Sequence, residues 1–456
     1  MNRINVSDVI DQNPLRPFQI FVLVLCTLCL IIDGFDVQAM GYAAPAIIKD
    51  WGVAKAGFGS VFGAGLLGMT IGALFLGVVA DKIGRRPVLI GALLYVAACT
   101  FGTMYATSLN DLMALRFVTG LGMGAIIPNA IALAGEFSPG KIRVTLMMIT
   151  SLGFVIGGAV GGAVAAALIP AFGWQSVFLT GAIAPLAIAI VMLFALPESL
   201  QFMVLSGKHA GNLRRWLGRT HPGLRMDDAT EFVVREKNTK GVPFVNLFRN
   251  RMAIGTILIW VVNFMNLICA YFLANWLPVV MNEAGHSTAQ AVLAGTMLWI
   301  GGIAGNLLLG WLVDRRGFGP VMTGMFCVGT LSIAAIGQVS ASLPIALVAI
   351  TAAGFCVMGG QSALNALGAT YYPTSIRSTG MGWAMGIGRL GSIFGPVVGG
   401  ELMRLNWSTG HLFFAAAMPT LVAVLASLLF WRLVNLPKPG AAGQIGNSAV
   451  SPAHSH

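Results

Sequence analysis

The chain has 456 residues, 57% of them hydrophobic and only 9% charged, which excludes a water-soluble domain and points to a polytopic membrane protein. Its formal net charge of +11 invites a nucleic-acid partner. However, 22 of the 27 basic residues fall in the tails and in loops on one face, the positive-inside asymmetry of a protein with both termini cytoplasmic, so no nucleic acid is needed to explain them.

Apolar runs long enough to cross a bilayer lie at about 18–40, 57–80, 87–107, 110–135, 143–169, 174–196, 252–280, 289–313, 319–339, 343–369, 378–403 and 411–434. They predict an all-α membrane protein of twelve transmembrane helices. The first seventeen residues are a polar cytoplasmic segment, and Asp8 and Asp11 in that flank argue against a signal peptide.

The first span contains Asp33-Gly34-Phe35-Asp36 and is expected to end near Met40, before a short outer loop through Lys49-Asp50-Trp51. An ionisable group at the centre of a spanning helix costs roughly 2.5–3.5 kcal/mol. At i, i+3 the two carboxylates share one face, turned toward a protein interior or a watery path. They read as a proton- or substrate-handling site, the alternative being a structural pair that ties helices together. All six cysteines lie in apolar spans, and Cys26 and Cys29, spaced CxxC with no second pair, do not read as a redox or metal site.

The second span ends in GVVADKIGRRP, residues 77–87, and the eighth in GWLVDRRGFGP, residues 310–320. Adding 233 carries Gly68, Gly72, Gly77, Asp81, Gly84 and Pro87 onto Gly301, Gly305, Gly310, Asp314, Gly317 and Pro320. Adding 234 carries Pro139, Ile142, Arg143 and Thr145 onto Pro373, Ile376, Arg377 and Thr379, and Gly157 and Gly161 onto Gly391 and Gly395. The chain is thus two pseudo-symmetric six-helix halves, 18–200 and 251–435. They are joined by a charged cytoplasmic linker, 201–250, and followed by a tail, 436–456, without apolar periodicity and expected to be disordered. Repeats of this kind mark secondary transporters with a central site at the interface of the halves.

GVVADKIGRRP resembles the loop motif of the major facilitator superfamily, as RFVTGLGMG (116–124) and PESL (197–200) resemble two further motifs of it. Within that superfamily, DGFDVQAMGYAAPAI (33–47) and IPNAIALAGEFSPGKIR (127–143) are similar to segments of the aromatic acid:proton symporters. The resemblance spans residues 8–435. It implies import of a benzoate-like or hydroxylated aromatic carboxylate with protons, and it carries the family's important positions onto Asp33, Asp36, Arg116, Glu136, Arg377 and Arg389, with Gly77 and Asp81 in the loop motif. The second loop motif departs from the pattern at Phe318 and Gly319, which leaves Asp314 and Arg315 to hold the gate in that half.

Arg389 lies ~18 Å into its helix from Arg377, near mid-membrane, and its counterpart in the first half is Val155. Its planar fork suits a carboxylate ligand; the alternative is a pair with an aspartate of the first span. Arg116 is nearer the outer end of its helix, at a depth that Asp33 and Asp36 can reach for pairing, and is either structural or directly ligating. Glu136, among Lys141 and Arg143, and Asp81, among Lys82, Arg85 and Arg86, read as cytoplasmic gate charges, with plain surface charge as the bland reading of Glu136. His411 reads as an interfacial residue. For the aromatic ring and its substituents the candidates are Trp299, Trp260, Trp276 and Tyr271 with the mid-span amides Asn263, Asn266, Gln361 and Asn365.

The expectation is therefore a monomeric proton-coupled symporter for an aromatic monocarboxylate in a bacterial inner membrane, working by alternating access. It would need no cofactor or metal, since the proton gradient supplies ~1.36 kcal/mol per pH unit. A porter or exporter for another organic acid is the near alternative, and a non-transporting receptor for aromatic acids the distant one. No GxSxG, HExxH or phosphate-binding loop supports an enzyme.

Overall fold

A computed structural model of the chain describes residues 3–206, 210–220, 231–233, 244–249, 252–373 and 376–434. The tail expected to be disordered lies outside the described residues, as does much of the linker.

The chain opens with a strand, β1 (Arg3–Asn5), and a short helix, α1 (Val6–Gln12). The long helices of the first half follow as α2 (Pro17–Trp51), α3 (Phe58–Ile83), α4 (Arg85–Thr103), α5 (Leu109–Met123), α6 (Ile126–Glu136), α7 (Arg143–Phe172) and α8 (Gln175–Ala195). The linker contributes α9 (Leu200–Ser206), α10 (Ala210–Thr220) and β2 (Glu231–Val233), which pairs in parallel with β1. The second half is α11 (Met252–Glu283), α12 (Thr288–Arg316), α13 (Phe318–Val339), α14 (Leu343–Tyr371), α15 (Arg377–Arg404) and α16 (Thr409–Leu433).

Among the described residues, eleven segments are long and apolar enough to cross a membrane, with α5 and α6 counted as one. The remaining helix, α15, is 28 residues long but rich in glycine and carries Arg389, so the count of twelve is approximate. The first helix departs most from expectation. It runs on through Lys49 and Asp50 to Trp51, where Gly52 caps it in the left-handed conformation (φ 62°), so the expected outer loop is helical. Residues 41–47 are buried against the second half or within the first, apart from half-buried Ala46, and that packing outweighs the breaking tendency of Pro45. As a result, Asp33 and Asp36 fall at the middle of a 35-residue helix. The fourth span is interrupted, between α5 and α6. Pro128 has no N–H to offer the carbonyl of Gly124, and the helix breaks there.

The repeat read in the sequence sets the packing. Gly68 and Gly72 of α3 lie against the backbone of α5 so closely that a Cβ would overlap Phe117 and Leu121. Their counterparts Gly301 and Gly305 do the same against Thr351 and Phe355 of α14. Gly157 of α7 meets Ile31 of α2 as Gly391 of α15 meets Phe264 of α11. Close backbone approach at small residues is how helices associate without a hydrophobic driving force.

One face of the molecule, the terminal face, carries both described chain ends. On the opposite, far face a single apolar core joins the halves, with Phe62 edge-to-face on Trp276 at 5.2 Å. There Gly59 and Gly400 let α3 and α15 touch. Toward the terminal face the core forks into two clusters, one drawn from the first half with α1 and α10, the other from the second half. Gln38 donating to the Ala274 carbonyl and Lys55 paired with Glu283 tie the halves together on the far face.

Candidate functional site

Where the core forks, a cavity of about 290 Å³ lies between the halves. That is near the lower end of the ~300–1,000 Å³ usual for small-molecule sites. Its first-half wall is almost wholly apolar, formed by residues such as Leu30, Leu66, Ile127, Ile131 and Phe154. Its second-half wall carries most of the polar groups: Arg389, Gln361, Asn365, Asn306, Ser362, Ser392 and Tyr271. The repeat makes this asymmetry sharp. Ile127, Ile131, Val155 and Leu66 occupy the positions that Gln361, Asn365, Arg389 and Trp299 hold in the other half, and all eight line the cavity.

The Arg389 guanidinium makes no hydrogen bond or ion pair among the described residues. Gln361 is the hub of an amide cluster. Its Oε1 accepts from Asn266 Nδ2 at 2.9 Å, and its Nε2 donates to Asn263 Oδ1 at 3.1 Å and Asn365 Oδ1 at 3.3 Å. Asn263 and Asn266 are buried behind the cavity wall and hold Gln361 in place, whereas Asn365 keeps its amide nitrogen for the cavity. Trp299 is 3% exposed, packs edge-to-face on Phe154 at 5.9 Å, and has an indole N–H without a hydrogen-bond partner among the described residues. The other two tryptophans lie elsewhere. Trp276 belongs to the far-face core, and Trp260 stacks on Trp383 at 6.0 Å.

The two aspartates of α2 differ from one another. Asp36 accepts from Arg116 Nη2 at 2.6 Å and from Thr100 Oγ1 at 3.1 Å. Asp33 is 1% exposed, and neither of its oxygens has a hydrogen-bond partner among the described residues. Among the described residues, Asp36 and Arg389 are charged groups that act on Asp33. Gly34 between the two lets α2 lie directly on the backbone of Phe154 in α7. Arg116 therefore sits with Asp36 inside the first half, under Phe178, and lines a separate small pocket rather than the cavity.

Of the expected gate residues, Glu136 pairs with Arg85 and accepts from Ser199 Oγ at 2.5 Å. Glu198 accepts from the backbone N–H groups of Arg85 and Arg86 at 2.9 and 3.1 Å, a carboxylate at the N-terminus of α4. Gly84 leads into that turn at φ 102°, where a side chain would be strained and would also strike Glu198. Arg143 pairs with Asp11 of α1 and donates to the Ser138 carbonyl. Its counterpart Arg377 makes the same contact with the Tyr372 carbonyl, at 3.2 Å, but has no acidic partner among the described residues. Asp81, Asp314 and Arg315 are exposed, the last stacked on Trp311 at 4.1 Å, and among the described residues nothing beyond the neighbouring turns of their own helices lies within 4 Å of where a Cβ on Gly77 or Gly310 would sit. His411 is exposed and bonded to Ser408.

Asn306, Ser362 and Phe154 line the cavity without having been singled out in the sequence. The criterion that selected Asn263, an amide in mid-span, applies equally to Asn306. Glu198 stands inside the PESL motif, but its capping role rests on a contact more than a hundred residues away in the chain, which no local pattern signals.

A family model described as Major Facilitator Superfamily matches residues 26–339 and 259–453. A gallate transporter of Pseudomonas putida is 38% identical over 426 residues, covering 93% of this chain and 94% of that protein. The 4-hydroxybenzoate transporter PcaK of Pseudomonas aeruginosa is 37% identical over 441 residues, covering 94% and 96%. Among solved structures, a bacterial homolog of the human lysosomal transporter Spinster superposes with a TM-score of 0.70 at 16% identity, covering 92% of this chain and 98% of that one.

Proposed function

The chain belongs to the aromatic acid:proton symporter group of the major facilitator superfamily, and on that premise we propose that it imports an aromatic monocarboxylate, benzoate-like or hydroxylated, together with protons. It is a multi-pass membrane transporter and not an enzyme. The observation that carries the substrate reading is the two-sided cavity: an apolar wall for the ring faces a polar wall on which Arg389 has no partner among the described residues. The relatives named for gallate and 4-hydroxybenzoate support the same class.

In this reading the terminal face is cytoplasmic, as the basic loops indicate, the membrane is a bacterial inner membrane, and the described conformation is open to the cytoplasm. Arg389 binds the substrate carboxylate with charge-assisted hydrogen bonds. The ring packs between Trp299 of the second half and the apolar first-half wall to which Phe154 belongs, and Asn365, supported by Gln361, Asn263 and Asn266, donates to a polar substituent.

Asp33 is the proton carrier. An ionised carboxylate buried without a partner is costly, and Asp33 lacks the donors that Arg116 and Thr100 give Asp36. Protonated Asp33 leaves Arg389 to the substrate anion; once the proton and the acid are released, Asp33 and Arg389 can attract one another. Arg116 serves as the fixed counter-charge of Asp36 and shapes the site from behind.

Closing the cytoplasmic side requires the halves to rock together. That movement would bring Asp81 at the end of α3 toward Arg377 at the start of α15, since these helices are neighbours across the interface. By the repeat, it would bring Asp314 and Arg315 toward Arg143, with the open space at Gly77 and Gly310 taken up as helices approach. The Arg85, Glu136 and Ser199 network moves as a rigid part of the first half. A single chain supplies every wall of the cavity, so a monomer suffices.

The test is accumulation of labelled benzoate, 4-hydroxybenzoate, protocatechuate, gentisate and a hexose in proteoliposomes under an inward proton gradient, against protein-free vesicles. Gradient-dependent accumulation of an aromatic acid, and not of the hexose, supports the reading. Binding without accumulation would favour a receptor.

A further inference from the structure

The polar wall contains a pair that the carboxylate does not need. Asn306 on α12 and Ser362 on α14 both line the cavity and are hydrogen-bonded to each other. Their repeat counterparts, Ala73 and Pro128, cannot make such a pair. The orientation of the Asn306 amide is fixed: its Nδ2 donates to the Gly302 carbonyl at 2.9 Å, a group that can only accept, so Oδ1 faces Ser362 and takes its hydroxyl proton. These bonds leave unused the second hydrogen of Asn306 Nδ2 and the lone pairs of Ser362 Oγ, on two residues that line the cavity.

One free donor beside one free acceptor is the complement of a hydroxyl group, which donates one hydrogen bond and accepts another. It is a poor complement of a carboxylate, which only accepts and is better served by Arg389. The depths agree. Counting from the terminal-face end of each helix, Asn306 lies ~15 Å in, Ser362 ~14 Å and Arg389 ~18 Å, within one helical turn of each other. Arg389 comes from α15, and the pair comes from α12 and α14. Both line the same cavity, so a ring anchored by its carboxylate at the first can present an edge to the second.

We infer that Asn306 and Ser362 form the subsite that reads a ring hydroxyl of the substrate, so that this transporter selects hydroxylated aromatic acids over benzoate. The inference rests on the aromatic-acid reading of the cavity. A site built to bond a hydroxyl disfavours the analogue lacking it, because its own polar groups are then left facing apolar ring edge.

The test is equilibrium binding to the full-length protein in detergent, with benzoate and with 2-, 3- and 4-hydroxybenzoate as ligands, for wild type, Ser362→Ala, Ser362→Thr and Asn306→Leu. In wild type at least one hydroxybenzoate should bind more tightly than benzoate. The ratio of its affinity to that of benzoate should fall about tenfold in Ser362→Ala and in Asn306→Leu, and Ser362→Thr should keep most of it. An unchanged ratio in both variants, or a wild-type protein that binds benzoate as well as every hydroxybenzoate, overturns the hydroxyl assignment and leaves the aromatic-acid reading standing. Wild-type protein that binds none of the four acids overturns that reading and this one with it.

Discussion

Arg116 holds Asp36 in a buried ion pair of 2.6 Å, while Asp33, one turn earlier on the same helix, has no hydrogen-bond partner at all among the described residues. Two carboxylates three residues apart are thereby given different work. The paired one is committed to the first half, and the unpaired one is left to respond to its surroundings.

Stability should separate them. Asp36→Asn leaves Arg116 buried without its counter-charge, and breaking a buried pair in this way costs about 3–5 kcal/mol. Asp33→Asn deprives no partner. Thermal unfolding in detergent should show a markedly lowered melting temperature for Asp36→Asn and an unchanged or raised one for Asp33→Asn. Equal losses would mean that the two aspartates share one structural role.

Arg389 should govern affinity for the anion. Removing hydrogen bonds to a charged group costs about 1.5–3 kcal/mol, so Arg389→Gln should weaken binding of an aromatic carboxylate by about 10–100-fold. Arg389→Lys should fall between, because it keeps the charge but loses the planar fork. Quenching of tryptophan fluorescence can follow this, since Trp299 lies in the cavity. Affinity that survives Arg389→Gln would move the carboxylate site elsewhere.

The far-face contact should set the resting conformation. Gly400 lies against Gly59 across the halves, with no room for a larger side chain. Gly400→Leu overpacks this contact, at a cost of about 1–3 kcal/mol to the state in which it is closed. With Ser392→Cys introduced into the cavity on a cysteine-free background, a membrane-impermeant maleimide added on the far side should label faster in Gly400→Leu than without it. Labelling that is slow in both would show that the far face is held by something other than this contact.

Much of the fold was legible because the same physics acts twice. Glycines that align at one offset had to serve the same purpose in both halves, and Gly68 and Gly301 indeed admit the backbone of the neighbouring helix at equivalent points. The end of the first helix was not legible. Gly41, Pro45, Lys49 and Asp50 read locally as a loop, and only packing around residues 41–47 keeps them helical. Residue types at the cavity were readable, since an arginine or an amide in mid-span needs a polar environment. Their partners were legible only in part: Arg116 lies at a depth the aspartates of the first span can reach, but that it takes Asp36 and leaves Asp33, and that Asn263 and Asn266 turn to Gln361, depends on helix rotations no single sequence records.

The central claim is that Asp33 couples proton movement to transport of an aromatic acid. It is tested most directly by comparing two assays of Asp33→Asn in proteoliposomes, using whichever aromatic acid the wild type accumulates. Gradient-driven accumulation requires the proton site, whereas exchange of labelled for unlabelled substrate at equal pH requires only binding and rocking of the halves. The account predicts that Asp33→Asn loses accumulation and keeps exchange. A variant that still accumulates substrate in response to the pH gradient would contradict it.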